Sequence, residues 1–327
     1  MTTRRTVALT SQLASRVPQL LEPLNRAGFD LVNRAGRGES LDEAALIRAL
    51  SGAWGVVAGS EIYNRKVLES APTLRVIART GVGYDAIDVA AATELGVAVV
   101  TTPGANAEAV ADFTLALMLA CLRRIVEADA DVRAGRWRPG GPARDLFAAT
   151  VGLVGFGKIG QAVARRLRGF DCRILVVEPF PDRDACRTLG VELMAMADML
   201  PQVDVLSLHV PLGADTHHLI AESELRLMRK HAILVNASRG SVVDGPALAA
   251  MLAEGRIAGA ALDVFEVEPL PRHDPLTTLP GVVLTGHIAG FSEGAIAGVV
   301  KAVVTSLIDL AEGRPPAGCV NPEVLNR

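Results

Sequence analysis

A glycine-spaced turn between an apolar strand and a helix constrains the fold of this chain more than any other feature. The apolar run 150–154 leads into Gly155, Gly157 and Gly160, and an amphipathic helical pattern continues to residue 168. In this spacing the first glycine allows a tight turn, the second lets the backbone approach a pyrophosphate, and the third lets helix and strand pack closely. The helix N-terminus then offers unpaired N–H groups and a positive dipole to the phosphates. The pattern predicts a dinucleotide site.

A carboxylate ends the next predicted strand, about 20 residues after the last glycine, which is the spacing expected for such a site. Glu178 would accept hydrogen bonds from an adenosine ribose, and its charge would repel the 2′-phosphate of NADP. We therefore predict NAD as the cofactor, although Arg183 weakens that preference slightly. A glycine-rich turn without a ligand is disfavoured, because strand, glycines, helix, second strand and terminal acid occur in the required order.

Composition and charge narrow the class of protein. The chain has 327 residues, 50% of them hydrophobic, and a net charge of −3, which is typical of a two-domain enzyme. A net charge this close to zero provides no overall positive potential that would attract nucleic acid or an acidic membrane. We expect that no apolar run reaches the length needed to span a bilayer, and no signal-peptide pattern occurs at the N-terminus. We predict a cytoplasmic protein with neither partner, and the scattered cysteines predict no metal site.

Alternating β-branched runs and amphipathic stretches indicate parallel α/β units along the chain. Long apolar helices at 106–125 and 292–312 would carry the chain between two domains and back. We therefore predict a discontinuous, flavodoxin-like α/β substrate domain of residues 1–101 and 291–327. Residues 102–290 would form a Rossmann-type NAD-binding domain with a doubly wound parallel sheet. Two crossings between domains would permit hinge closure over a cleft.

The first predicted domain contains the following elements. Strands are predicted at 7–10, 29–32, 55–58, 75–78 and 96–100, and helices at about 12–26, 41–50, 64–71 and 86–95, on the periodicity of apolar residues.

Charged side chains follow the predicted strands of the second domain. Arg239, Asp263 and His287 each come just after such a strand. In an open parallel sheet, ligands bind outside the carboxyl ends of the strands, the end that also holds the Gly155 turn. We therefore expect these three side chains to converge on the cofactor.

Such a set of residues suits hydride transfer between a secondary alcohol and nicotinamide. The imidazole of His287 can hold or release a proton near neutral pH, and the planar guanidinium of Arg239 can bind a carboxylate with two hydrogen bonds. Glu268 would orient the imidazole and stabilise its protonated form. Together they predict a histidine–carboxylate proton relay.

Several blocks of sequence, spread over nearly the whole chain, carry a resemblance to a known family. The chain resembles the NAD-dependent D-isomer-specific 2-hydroxyacid dehydrogenases, and among them the D-3-phosphoglycerate dehydrogenase-like subgroup. The blocks are residues 79–88, 103–106 with 109–112, 155–160, 209–212, 236–240, 261–265 with 268–269, and 286–290.

The resemblance implies roles for individual residues. It assigns catalysis to Arg239, Glu268 and His287, the nicotinamide carboxamide to Asp263, and a homodimer through the nucleotide domain. Beyond the glycines, Glu178 and these residues, the implied cofactor contacts are Lys158, Ile159, Val210, Pro211, Ala237, Ser238 and Gly290. The implied substrate contacts are Arg79, Gly81, Val82, Gly83, Asn106 and Arg239.

The departures from the family pattern concern the substrate. Residues 57–60 lack the arginine that phosphoglycerate dehydrogenases commonly use for the substrate phosphate, and Arg79 would replace it only in part. The chain ends at Arg327, so we expect no regulatory domain. Two alternatives stay open: a hydroxypyruvate or glyoxylate reductase, and an NAD-sensing regulatory binding protein with little turnover.

Overall fold

A computed structural model describes residues 4–36, 41–137 and 142–326. The chain divides into two compact units, Met1–Asn106 with Ser292–Arg327, and Ala107–Phe291. The first unit contains a five-stranded sheet and the second a seven-stranded sheet, and every strand pair in both is parallel. The predicted α/β fold class is confirmed.

The strands and helices have the following bounds. The strands are β1 (Thr6–Leu9), β2 (Asp30–Asn33), β3 (Gly55–Ala58), β4 (Val76–Arg79), β5 (Ala98–Val100), β6 (Thr150–Val154), β7 (Arg173–Val177), β8 (Glu192–Leu193), β9 (Val205–Leu208), β10 (Ile233–Asn236), β11 (Gly259–Leu262) and β12 (Val282–Leu284). The α-helices are α1 (Gln12–Ser15), α2 (Glu22–Arg26), α3 (Glu43–Leu50), α4 (Arg65–Glu69), α5 (Val89–Glu94), α6 (Ala107–Leu122), α7 (Ile125–Arg133), α8 (Lys158–Leu167), α9 (Arg183–Leu189), α10 (Met196–Met199), α11 (Glu222–Leu227), α12 (Gly245–Ala253) and α13 (Glu293–Ala311).

The sheet of the first unit has the strand order β2-β1-β3-β4-β5, and all five predicted strands occur close to their predicted bounds. The continuous helix predicted over 12–26 is wrong. The chain forms α1, a 3-10 turn over Pro18–Leu21, and α2. Pro18 and Pro23 explain the breaks, because proline lacks a backbone N–H and disfavours helical geometry in the residue before it.

The long helix α13 belongs to the core of the first unit. Val300, Val303 and Leu307 are buried in a cluster with Val7 of β1 and Val76 of β4. Within the described ranges, α13 is the one helix that is long and apolar enough to cross a membrane by length and composition alone. The expectation that no apolar segment reaches that length is therefore wrong. The apolar character of α13 has a local cause, since its buried face packs against the sheet.

The helix predicted over 106–125 is shorter in the structure. It ends at Leu122, and a new helix, α7, begins at Ile125. Arg124 lies between them with φ 54°, a left-handed conformation that cannot continue a right-handed helix. The buried face of α6, including Leu117 and Met118, packs into the core of the second unit.

The sheet of the second unit has the order β12-β11-β10-β9-β6-β7-β8. Strand β6 pairs with β7 on one side and with β9 on the other. From β6 to β8 successive strands are added on one side, and from β9 to β12 they are added on the other, so the strand order reverses between β6 and β9. One face packs against α6 and α8, and the other against α11 and α12. Both faces are therefore covered by helices. A sheet of this type binds ligands at the carboxyl ends of its strands, at the point where the strand order reverses, which here lies between β6 and β9.

Candidate active site

The glycine-rich turn joins β6 to α8 and has the backbone geometry that a dinucleotide site needs. Gly155 has φ +94°, and a Cβ atom there would lie 2.7 Å from the carbonyl oxygen of His209. A Cβ at Gly160 would lie 2.4 Å from the carbonyl oxygen of Gly155. At Gly157, the N-cap of α8, a Cβ would meet nothing within 4 Å. Packing thus excludes a side chain at two of these positions, and the third leaves room for a phosphate at the helix N-terminus.

Glu178 follows β7 and turns toward the glycine-rich turn. Its Oε2 accepts the backbone N–H of Phe156 at 2.8 Å, and its Oε1 accepts the N–H of Phe180 at 3.1 Å. Phe156 lies between Gly155 and Gly157. The carboxylate therefore connects the end of β7 to the turn and is held by hydrogen bonds beside the predicted phosphate position.

The segment after β9 lies beside the glycine-rich turn, at the carboxyl ends of β6 and β9. The backbone N–H of His209 donates to the carbonyl of Val154 at 2.7 Å, and its Nε2 lies 3.0 Å from Ser207 Oγ. Burial lowers the pKa of His209 to about 4, so its ring is neutral at neutral pH. His209 is therefore structural, whereas the half-buried Val210 and the exposed Pro211 continue along the edge.

A buried amide fixes the segment that carries Arg239. Asn236, the last residue of β10, is 1% exposed. Its Oδ1 accepts from the backbone N–H and the hydroxyl of Ser238, and its Nδ2 donates to the carbonyl of Arg239 at 2.9 Å. Ala237 and Arg239 are partly buried, and Arg239 Nη1 donates to the Ser238 carbonyl at 2.7 Å. The guanidinium is thereby held at the carboxyl end of β10.

Asp263 is a fully buried carboxylate that organises the segment containing His287. Its Oδ1 accepts from the Thr285 hydroxyl at 2.6 Å and from the Ile288 N–H at 2.9 Å, and its Oδ2 accepts from the Ala289 N–H at 2.8 Å. Its carbonyl accepts the His287 N–H at 2.7 Å. Because this side chain has no exposed surface, it acts on the loop that ends near Gly290, and the carboxamide contact stays a prediction.

Glu268 and His287 form the pair that the sequence predicts. Glu268 Oε2 lies 2.7 Å from His287 Nδ1, and its Oε1 accepts the Phe265 N–H at 3.0 Å. Burial alone would raise the pKa of Glu268, but the hydrogen bond and charge of His287, the Phe265 N–H and the charge of Arg239 together lower it. Glu268 is therefore ionised at neutral pH, and with Nδ1–H donating to it the neutral imidazole has its lone pair on Nε2.

The predicted substrate residues of the first unit lie at the end of β4 and in the segments after β4 and β5. Arg79 Nη1 donates to the Thr80 carbonyl at 3.2 Å, and the Gly81 carbonyl accepts the Thr102 N–H at 3.1 Å. Val82 is 37% exposed and Gly83 follows it. The Oδ1 atom of Asn106 is buried and has no hydrogen-bond partner. These residues share the carboxyl edge of the five-stranded sheet.

Three supporting residues were missed by the sequence reasoning. Asn236 and Thr285 hold the loops of Arg239 and His287, and a polar residue at the end of an apolar strand was the available signal. A Cβ at Gly240 would lie 1.9 Å from the carbonyl carbon of Phe265, so this glycine allows the Glu268 segment to approach. Nothing in the local sequence indicates that contact. In the part of the chain that is described, no group of three potential metal ligands occurs.

Comparison with known proteins gives the family. Residues 115–289 match the family described as D-isomer specific 2-hydroxyacid dehydrogenase, NAD binding domain. A glyoxylate reductase of Korarchaeum cryptofilum is 46% identical over 80% of this chain and 80% of its own length. A solved structure of a Thermus thermophilus protein has a TM-score of 0.88 and 37% identity, covering 96% of this chain and 99% of the other.

A second similar solved structure contains a bound nicotinamide cofactor. The NADPH-dependent glyoxylate/hydroxypyruvate reductase of Sinorhizobium meliloti, in complex with NADP and malonate, has a TM-score of 0.85 and 31% identity. The similarity covers 98% of each chain.

The fold and these similarities define a nicotinamide-dependent oxidoreductase acting on CH–OH groups. This chain belongs to the D-isomer specific 2-hydroxyacid dehydrogenase family. The two named relatives reported above, from Korarchaeum cryptofilum and Sinorhizobium meliloti, carry the name of the alternative that the sequence left open, glyoxylate reductase, so they match that alternative better than the phosphoglycerate dehydrogenase-like subgroup.

Proposed function

We propose that this protein reduces short 2-keto acids of the glyoxylate and hydroxypyruvate type with NADH. The observation that carries the proposal is the Glu268–His287 pair, joined at 2.7 Å, with Arg239 near enough for its charge to act on Glu268. The names of the relatives favour this substrate class over 3-phosphohydroxypyruvate. The absence of an arginine from residues 57–60 also favours it.

His287 is the proposed proton donor for keto acid reduction. Glu268 accepts a hydrogen bond from Nδ1, which fixes the orientation of the ring. Nε2–H would then donate its proton to the oxygen of the keto group as that oxygen becomes an alkoxide, and in the reverse direction Nε2 would accept it. Asp263 takes part indirectly, because its hydrogen bonds hold the backbone on both sides of His287.

Arg239 is the proposed anchor for the substrate carboxylate. A guanidinium can form two parallel hydrogen bonds to a carboxylate, which sets the orientation of the attached keto group. The backbone of Gly81, Val82 and Gly83, together with Arg79 and Asn106, is proposed to bind substrate as well. These roles stay predictions, as do a homodimer through the nucleotide domain and a cytoplasmic location.

The residues around the glycine-rich turn fit a nicotinamide dinucleotide. Gly157 is open, α8 presents its N-terminus there, and Glu178 lies beside the turn. The chemistry that a bound nicotinamide supplies is hydride transfer to the keto carbon. We propose NAD as the form used, because the Glu178 carboxylate disfavours a 2′-phosphate. Contacts from Lys158, Ile159, Val210, Pro211, Ala237, Ser238 and Gly290 belong to the same proposal.

A panel of 2-keto acids with NADH tests the proposal directly. Glyoxylate, hydroxypyruvate, pyruvate and 3-phosphohydroxypyruvate would each be added to the purified protein, and the loss of NADH absorbance measured. We expect the highest kcat/KM with glyoxylate or hydroxypyruvate. A highest value with 3-phosphohydroxypyruvate would favour the phosphoglycerate dehydrogenase-like alternative. NAD binding without turnover of any acid would instead favour the sensing protein.

Replacement of Glu178 tests the cofactor preference. The wild type should be at least about tenfold more efficient with NADH than with NADPH, because a like charge next to the 2′-phosphate is costly. Glu178→Gln should reduce that ratio about tenfold, since the amide removes the charge but still offers an oxygen to the Phe156 N–H. The matched control is Glu254→Gln, at an exposed helix end. A wild type that is already faster with NADPH would refute the assignment.

A further inference from the structure

A second histidine–carboxylate pair lies beside the segment that carries Glu268, and the proposed reaction does not use it. Nε2 of His218 lies 2.6 Å from Oε1 of Glu266. The same oxygen accepts the backbone N–H of Gly245, the first residue of α12, at 3.4 Å. Because Oε1 is an acceptor here, Nε2 of His218 carries the hydrogen of the bond between the two side chains. Both side chains are partly exposed, so the pair contributes little to the overall free energy of unfolding.

His218 is fixed to the segment that follows β10. Its backbone N–H donates to the carbonyl of Ser241 at 2.8 Å. Two residues later, the fully buried Ile220 forms a bridge with the buried Val243. The ring of His217 stacks on the ring of His218, with centroids 4.0 Å apart, which limits how the His218 ring can turn. The imidazole of His218 is therefore a well-supported point of attachment for a neighbouring loop.

Glu266 belongs to the loop 264–269, which also contains Glu268. Within the described part of the chain, this loop forms no backbone-to-backbone hydrogen bond with a neighbouring segment. Packing holds its first half, because Val264 is buried and Phe265 lies against the apolar core. The second half is exposed. Apart from the contact of Glu268 with the proposed proton donor, the hydrogen bonds of Glu266 attach this half to the rest of the unit.

The same loop backbone orients the carboxylate of Glu268. Glu268 Oε1 accepts the N–H of Phe265, the residue that precedes Glu266, and Glu268 Oε2 lies 2.7 Å from His287 Nδ1. One residue separates Glu266 from Glu268 in the chain. A displacement of Glu266 would therefore move both the carboxylate of Glu268 and the N–H group that orients it. Such a displacement is costly, because proton transfer depends strongly on the distance and angle between the reacting groups.

We propose that His218 is a positioning residue that acts through Glu266: it holds the loop 264–269 so that Glu268 meets His287. This inference rests on the proposed function. The hydrogen bond from His218 fixes the loop, the loop fixes the Glu268 carboxylate, and the carboxylate fixes the imidazole that transfers the proton. Loss of the first bond lowers kcat, because the His287 ring spends less time in the reactive orientation. Binding of the substrate carboxylate is assigned to Arg239, so KM is little affected.

Two replacements of His218 test the proposal. His218 has φ 49°, a region that asparagine adopts readily, so His218→Asn suits the backbone, but its amide is too short to reach Glu266. We expect kcat with glyoxylate and NADH to fall about tenfold and KM to change by less than about twofold. His218→Gln places an N–H at nearly the reach of Nε2 and should recover most of the kcat. This recovery would not come from the backbone, because glutamine suits that conformation less well than asparagine.

A double-mutant measurement shows whether the effect of His218 passes through Glu268. In a Glu268→Gln background, His218→Asn should lower kcat by no more than about a further twofold, because the group that it positions is already replaced. Glu266→Ala removes the other partner of the bond and should match His218→Asn. Glu266 is exposed, so this variant covers the case in which a His218 variant does not fold.

The matched control is His231→Asn, which breaks another histidine–carboxylate pair of the same unit. His231 Nε2 lies 2.8 Å from Asp204 Oδ1, close to the amino ends of β9 and β10. The control should leave kcat unchanged. An unchanged kcat in folded His218→Asn and Glu266→Ala proteins, or a full tenfold loss that persists in the Glu268→Gln background, would overturn the role of His218 and leave the proposed function intact. Failure to reduce any 2-keto acid would overturn the proposed function, and this inference with it.

Discussion

Replacing His287 with asparagine is expected to lower kcat roughly 10²- to 10⁴-fold, the contribution typical of a positioned general acid or base. Asparagine cannot transfer the proton, yet it suits the backbone here. His287 has φ 55°, and asparagine adopts that left-handed region more readily than most residues. The loss should therefore reflect chemistry and not a displaced loop. The measurement is kcat with glyoxylate and NADH, together with the Kd for NADH.

The control for this prediction is His273→Asn, at an exposed position in the same unit. It should leave kcat unchanged. We expect both variants to bind NADH with a Kd close to that of the wild type, and to have a similar Tm. A His287→Asn protein that keeps the wild-type kcat would remove His287 from the reaction, and with it the proton relay that includes Glu268.

Arg239→Ala is expected to lower kcat/KM for 2-keto acids roughly 10²- to 10³-fold, the cost of removing one partner of a desolvated charge pair. Both constants should change. KM rises because the substrate carboxylate loses its cation, and kcat falls because the keto group is less well oriented. Steady-state kinetics with glyoxylate measure the two separately.

Two further variants interpret the result for Arg239. Arg239→Lys keeps the charge but loses the planar fork, so it should recover only part of the kcat/KM. Arg226→Ala removes an exposed arginine that pairs with Glu222 on α11, and it should have no effect. If Arg239→Ala keeps the wild-type KM and kcat, the carboxylate binds elsewhere.

The sequence predicted the elements whose signals are local. Strands β1 to β5 were found from short runs of β-branched residues, because alternating or buried apolar patterns act over a few residues. Ser292 and Glu312 bound the final helix as expected, and the Ser292 hydroxyl accepts the N–H of Ala295. The errors have local causes too. Pro18 and Pro23 break the helix predicted over 12–26, because each lacks a backbone N–H.

The sequence also predicted the candidate reactive residues, because Arg239, Asp263 and His287 follow strands and their types, with Glu268, suit one reaction. The sequence could not predict which of these side chains contact one another. That Glu268 reaches His287 Nδ1 depends on Gly240, where only a hydrogen atom leaves room for the backbone of Phe265. The burial of Asp263 likewise depends on the neighbouring loop, whose Thr285, Ile288 and Ala289 donate hydrogen bonds to it.

The amino-acid sequence by itself determined the α/β class, the nucleotide-binding turn, and Arg239, Glu268 and His287 as candidate catalytic residues. The tertiary structure decided which atoms meet: the hydrogen bond between His287 and Glu268, and the loops held by Asn236 and Asp263. The physical reason is distance along the chain. Strand periodicity and turn geometry depend on neighbours in sequence, whereas these contacts depend on strand order and on the close packing of segments far apart in the chain.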